Sequence, residues 1–194
     1  MLINNNRFQK LPILSLHMGR PIAYISELIV SPHDLKVVAL RIQGPDLARD
    51  GNTFLETRDI RELSNLGIIV DSDDTFTRRG DVIKLDKILD LNFSLTGLKV
   101  ETKKGIRVGR ISEFVIETDS MRVAQIIVKR PAFKSLLDPE LIISTKEIVE
   151  ITDYKVIIKD ERQKSRTHKK SHKDTFIPNF VNPFREPDFA EKSA

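Results

Sequence analysis

GRPIAYISELIV, residues 19–30, recurs in similar form 86 positions later as GIRVGRISEFVI, residues 105–116. The two stretches align without a gap, and the alignment continues as far as Ile42 in the first copy and Val128 in the second. Gly, Ile, Ser and Glu recur at the same places, and most other apolar positions keep their character. A repeat of fixed period indicates that one supersecondary unit has been used twice. The repeat therefore predicts two similar modules in succession.

Each copy has the pattern of a β-hairpin. Gly19 and Gly105 stand in turn contexts, where only glycine adopts a positive φ at low cost. Runs of β-branched residues follow, and polar turns at residues 31–34 and 117–120 divide one run from the next. The second run of each copy alternates between apolar and other side chains, which is typical of a strand with one buried face.

A second correspondence follows at a spacing of 88 residues, between LETRDIREL at 55–63 and ISTKEIVEI at 143–151. Thr57 and Thr145 are each predicted to cap a short turn in this segment. The intervening loops, residues 44–53 and 131–141, differ between the copies. Loops that vary on a shared scaffold are where we expect specificity. Residues 71–96 link the copies, and we place the boundary between modules near residues 86–96.

Composition restricts the function classes. The chain of 194 residues has no cysteine, which excludes disulfides, thiolate metal sites and cysteine nucleophiles. The beginning of the chain shows no signal-peptide pattern, and no apolar run approaches the roughly 18 residues of a spanning helix. We therefore expect a soluble cytoplasmic protein.

The net charge of +4 is unevenly placed. Residues 1–158 carry 23 basic and 22 acidic side chains, whereas residues 159–173 carry seven basic and two acidic ones. Residues 163–173 have no apolar side chain to bury, so the sequence predicts disorder from about residue 160 to 194. The end of this tail holds four of the ten Phe residues, interrupted by prolines that disfavour a helix. We expect an extended segment with aromatic anchors.

The repeated pattern Gly-x-x-Val/Ile-x-x-Ile-x-Glu, followed by two aliphatic strands and Ser/Thr-x-Glu/Asp-Ile, resembles the PRC-barrel domain. This family includes the photosynthetic reaction-centre H subunit and the C-terminal domain of the ribosome maturation factor RimM. The resemblance covers about residues 8–71 and 92–159. It implies an all-β chain of two tandem, small, SH3-like antiparallel β-barrels, each with six strands. The predicted domains are residues 8–85 and 86–159, with the tail at 160–194. The family supplies no catalytic residues to transfer.

Three groups of polar residues are candidates for chemistry. Glu27 and Glu113 occupy equivalent strand positions. They are either paired acid–base groups, or structural residues that accept hydrogen bonds from a neighbouring turn or face solvent, and their repetition favours the structural role. His168 and His172 have the i, i+4 spacing of metal ligands on a helix, but they lie among lysines. The carboxylates at residues 71–74 lack the spacing of a known calcium loop, which favours a solvated turn.

We predict a non-enzymatic adaptor or scaffold that docks onto a larger protein assembly, without cofactor, metal, catalytic residues or small-molecule substrate. An RNA-associated factor in ribosome maturation and a peripheral membrane protein are the alternatives, because the basic segment suits phosphates or anionic lipid. The Phe-rich end is predicted to bind a protein partner or to fold back onto the chain's own barrel. The candidate partner-binding residues are Arg162, Lys164, Arg166, Lys169, Lys170, Lys173, Phe176, Phe180 and Phe184.

Overall fold

The computed structural model describes residues 1–9, 11–64, 66–131 and 139–160. These residues belong to one compact unit that contains both copies of the repeat. From residue 161 onward the predicted tail lies outside the described residues. The chain begins with strand β1 (Leu2–Asn4) and helix α1 (Asn5–Phe8), which precede the first copy.

The first copy forms a sheet of seven strands. In chain order they are β2 (Pro12–Ser15), β3 (Arg20–Val30), β4 (Val37–Gln43), β5 (Thr53–Glu56), β6 (Glu62–Leu63), β7 (Ile68–Val70) and β8 (Phe76–Arg78). Their order in the sheet is β6-β7-β2-β3-β4-β5-β8. Helix α2 (Ile83–Asp90) follows and leads into the second copy.

The second copy repeats this order. Its strands are β9 (Lys99–Thr102), β10 (Arg107–Glu117), β11 (Arg122–Lys129), β12 (Glu140–Ser144), β13 (Ile148–Ile151) and β14 (Lys155–Ile158). The sheet runs β12-β11-β10-β9-β14-β13, and β1 from the beginning of the chain joins it by pairing with β10. The all-β prediction is confirmed.

Both sheets differ in one respect from the predicted antiparallel arrangement. Strands β2 and β7 pair in parallel, with Ile13 opposite Ile68, and β9 and β14 pair in the same way, with Val100 opposite Val156. Each parallel pair joins the beginning of a copy to its end, where the intervening strands provide the crossover that parallel pairing needs. The pairings among the described residues form open paths, from β6 to β8 and from β12 to β13.

The repeat extends to the irregularities of the strands. The pairing of β3 with β4 shifts between Ile25 and Glu27, and the pairing of β10 with β11 shifts at the equivalent place, between Ile111 and Glu113. A bulge leaves one residue without a ladder partner. That residue is Ser26 in the first copy and Ser112 in the second. The hydroxyl donates to a carbonyl of the neighbouring strand in each copy, at 3.1 Å from Ser26 and at 3.2 Å from Ser112. The identical serine therefore has the same structural role in both copies.

The turn predictions have mixed outcomes. Gly19 and Gly105 have φ of 62° and 77°, as predicted for left-handed turns. The prediction that Thr57 and Thr145 cap the following turns is wrong. Each begins a short 3-10 turn, and its hydroxyl donates to a carbonyl of the adjacent strand, at 3.1 Å in both copies. The second turn is instead capped by Ser144.

The side chains of both sheets enter one continuous hydrophobic core. Buried residues such as Leu40 in the first copy and Ile126 in the second belong to the same cluster, together with Phe8 of α1. The boundary predicted between residues 85 and 86 falls inside α2. Burial of both sheets against each other compensates for the small core that a module of this size can form alone.

Helix α2 covers a second, smaller core on the outward face of the first sheet. Leu85 packs there with Ile29, Ala39 and Phe54, and the partly buried Ile88 extends the contact. Phe54 is 1% exposed, and the Arg41 guanidinium lies 4.9 Å from the centre of its ring. The equivalent residue of the second sheet, Ile142, is 56% exposed.

This asymmetry predicts unequal effects of two equivalent substitutions. Phe54→Ala removes a ring buried beneath α2 and should lower the free energy of unfolding by about 3–5 kcal/mol. Ile142→Ala should cost less than about 1 kcal/mol, because the side chain is already exposed. Urea unfolding of the two variants measures both values. Equal losses would contradict the position of α2.

Candidate functional site

The two copies meet where their equivalent hairpins touch. The Val37 N–H donates to the Met121 carbonyl at 2.7 Å, and the Val123 N–H donates to the Leu35 carbonyl at 2.9 Å. A shift of 86 residues converts each bond into the other. The contact is therefore isologous, as in a dimer with twofold symmetry, although both partners belong to one chain.

The backbone at this junction has an unusual conformation. Leu35 and Met121 are equivalent residues with φ of 53° and 52°, in the left-handed region that disfavours side chains. This conformation costs about 1–2 kcal/mol for a residue other than glycine. Both side chains are buried, and both carbonyls accept the bonds across the junction. Burial and reciprocal hydrogen bonding offset the strain at both hairpins.

An ion pair adds to the junction on one side. Arg122 donates to the Asp34 carbonyl at 2.9 Å and lies 3.2 Å from the Asp34 carboxylate. Both side chains are partly exposed, so the pair contributes about 1 kcal/mol or less. The backbone bonds and the shared core therefore account for most of the junction's stability.

An N-terminal arm, residues 1–9, extends from before the first copy onto the second. Its strand β1 pairs with β10, and the buried Asn5 side chain accepts a hydrogen bond from the Phe114 N–H at 3.1 Å. Asn4 and Asn6 donate to the two carboxylate oxygens of Glu113, at 2.5 and 2.8 Å. The arm is held by both its backbone and its amide side chains.

Glu27, the equivalent of Glu113, has a different partner. It accepts a hydrogen bond from the Arg41 Nε at 2.8 Å on the neighbouring strand. Both glutamates accept hydrogen bonds, as predicted, but the donors lie on a neighbouring strand and in the N-terminal arm instead of in a neighbouring turn. A polar crevice of about 300 Å³ lies beside them, lined in part by Asn6, Gln9 and Ser94.

The loop at residues 44–52 forms one wall of a cleft of about 520 Å³. Tyr24, Leu47 and Arg49 line this cleft. The Asn52 N–H donates to the Asp50 carboxylate at 3.0 Å and lowers the pKa of that carboxyl below its ordinary value of 3.8. Most of the corresponding loop, residues 132–138, lies outside the described residues. That such loops determine specificity stays a prediction.

The acidic turn at residues 71–74 is exposed, as predicted. The Asp71 carboxylate pairs with the Arg61 guanidinium, and the Ser72 hydroxyl accepts from the Asp74 N–H. Across residues 1–9, 11–64, 66–131 and 139–160, no three metal-binding side chains converge. Neither α1 nor α2 nor any other described helix is long and apolar enough to span a membrane.

The predicted partner-binding residues cannot be placed in this geometry. Arg162, Lys164, Arg166, Lys169, Lys170, Lys173, Phe176, Phe180 and Phe184 lie outside the described residues, as do His168 and His172.

Sequence reasoning missed three features of the site: β1, the helix α2, and the reciprocal contact between hairpins. The signal for α2 was present, because Leu85, Ile88 and Leu89 recur at helical spacing. The contact of equivalent hairpins had no local signal.

Two related sheets of this topology define the class of the protein as a small, duplicated β-module. Residues 92–163 match the family model of the PRC-barrel domain. The resemblance inferred from the repeat is therefore confirmed for this segment, which contains the strands of the second sheet from β9 to β14. A search of curated proteins found no match to the chain.

The different partners of the repeated glutamates predict different effects of removing them. Glu113→Ala removes the acceptor of Asn4 and Asn6, so amide hydrogen exchange in residues 2–6 should accelerate at least about fivefold. Glu27→Ala is the matched control and should leave exchange in the arm unchanged. Equal exchange in the arm of all three proteins would show that Glu113 does not hold it.

Proposed function

We propose that this protein is a non-enzymatic, tandem PRC-barrel adaptor that docks onto a larger protein assembly in the cytoplasm. The observation that carries the proposal is the reciprocal junction. It joins a PRC-barrel domain to a second sheet of the same strand order through equivalent hairpins. An adaptor needs a body that keeps several surfaces in a fixed relation, and a shared core with buried backbone bonds supplies one.

The charge distribution supports different roles for the body, residues 1–158, and for the tail that follows it. The body is nearly neutral, whereas residues 159–173 hold seven basic and two acidic side chains. A basic segment increases the rate of encounter with acidic partners and makes it dependent on salt. In the proposal, Arg162, Lys164, Arg166, Lys169, Lys170 and Lys173 provide this attraction. The attachment of a second binding segment raises its effective concentration without requiring a tight individual contact.

The aromatic residues at the end of the chain supply the specific part of the proposed contact. Phe176, Phe180 and Phe184 are large apolar anchors, and large aromatic side chains dominate the energetics of many interfaces. The prolines between them reduce the chain entropy lost on binding. We propose that these anchors bind the protein partner and not the chain's own barrel.

The structural use of the repeated glutamates supports the absence of catalysis in this proposal. Glu27 and Glu113 are the charged residues that both copies share on their longest strand, and each accepts hydrogen bonds from side chains of the surrounding scaffold. Duplication has therefore preserved residues that build the fold.

The proposal predicts the effect of a double substitution in the tail. Phe180→Ala with Phe184→Ala should reduce recovery of the protein partner in affinity capture at least about tenfold, because both anchors are lost. Phe189→Ala serves as a control outside the proposed set. Capture is performed with full-length protein, before and after nuclease treatment. Unchanged recovery by the double variant would reject the tail contact, and recovery that nuclease abolishes would instead favour the RNA-associated alternative.

A further inference from the structure

The two sheets differ at one edge. In the first sheet β8 pairs with β5, so that Phe54 and Leu55 have backbone partners on both sides. The equivalent strand of the second sheet is β12, whose residues Leu141–Ile143 pair with β11. Within the part of the chain that the structure describes, no strand pairs with the other edge of β12. A free edge is a template for an added strand.

The outward face beside this edge also differs. In the first sheet α2 covers Ile29, Ala39 and Phe54. The equivalent residues in the second sheet are Val115, Gln125 and Ile142, and Ile142 is 56% exposed. Ile142 is directly opposite Ile127 on β11, so two apolar side chains lie together on this face. The segment from β8 to α2 thus covers an edge and a face whose counterparts in the second sheet are covered by no strand or helix of the described residues.

We propose that the β12 edge and the Ile127–Ile142 face bind a strand-and-helix segment of the partner protein. This inference rests on the proposed adaptor function and assigns that function a surface on the body. The β8–α2 segment shows the form of the occupant. Its strand runs antiparallel to β5 and places Phe76 opposite Leu55, and its helix lays Leu85 on the sheet.

The β8–α2 segment also indicates which side chains the partner needs. The added strand needs an apolar side chain opposite Ile143, which corresponds to Leu55. The helix needs aliphatic residues about one turn apart to cover Ile142. Gln125 replaces Ala39 on this face, so the partner needs one polar side chain to hydrogen-bond the amide. Strand addition of this kind gives affinity through the backbone and specificity through alternate side chains.

Two other occupants fit less well. At the spacing of 88, Phe76 corresponds to Lys164 and Leu85 to Lys173. The chain's own tail therefore has lysines at the positions of a partly buried and a buried apolar residue of the β8–α2 segment. A second copy of the chain can supply its own β12 edge, but a strand alone leaves Ile127 and Ile142 uncovered. A partner with both a strand and an amphipathic helix satisfies the whole surface.

A peptide of this chain's residues 74–91, labelled with a fluorophore, tests the surface directly because it contains both β8 and α2. Its binding to the full-length protein is measured by fluorescence anisotropy. We expect saturable binding that Ile142→Lys weakens at least tenfold. Val149→Lys is the matched control, at an exposed apolar residue of the same sheet, and should change the dissociation constant less than twofold. Absence of saturable binding, or equal binding by both variants, would overturn the proposal.

Further measurements separate the occupants. Ile142→Lys should keep the melting temperature within a few degrees, which shows that lost binding does not reflect unfolding. If removal of residues 161–194 strengthens peptide binding tenfold or more, the tail already fills the site and the partner assignment is wrong. A dimer that Ile142→Lys dissociates in sedimentation would likewise assign the site to a second copy. The Phe180 and Phe184 variant should bind the peptide normally, so failure of this inference is distinguishable from failure of the tail contact.

Discussion

The pair of backbone hydrogen bonds between the hairpins at Leu35 and Met121 is the constraint on which the rest of the structure depends. Each bond uses a buried N–H, at Val37 or Val123, and loss of the acceptor would leave that group unsatisfied at a cost of about 1–3 kcal/mol. Because the bonds are reciprocal, neither hairpin can relax from its left-handed turn without disturbing the other. The junction fixes the two sheets so that their inner faces form one core.

Duplication of the module has left its framework intact while its exposed parts have diverged. The bulges at Ser26 and Ser112 and the strand order are the same in both copies. In contrast, β8 and α2 cover one sheet, and the N-terminal arm pairs with the other. Two equivalent scaffolds with different coverings can offer different surfaces to partners, which is the property that an adaptor requires.

Most of the framework was predictable because its signals are local. Glycine turns, β-branched runs and the fixed period of the repeat indicated the strands around Gly19 and Gly105, and both turns are as predicted. The family match confirms the resemblance to the PRC-barrel domain for residues 92–163. The predictions failed where tertiary contacts decide the local structure. The Thr57 hydroxyl donates to a neighbouring strand instead of capping its turn, and β1 joins the second sheet through contacts between residues more than 100 positions apart. No periodicity in sequence encodes which hairpins meet, and the tail residues lie outside the described residues.

Native-state hydrogen exchange in a destabilised variant tests most directly whether the two copies unfold as one body. Leu40→Ala creates a cavity in the first sheet only, where Leu40 is fully buried. If the junction couples the copies, amides of β10 and β11 should lose as much protection as those of β3 and β4, and Ile126→Ala should give the mirrored result. Full protection of the second sheet in the Leu40→Ala variant would show two independent modules and contradict the account.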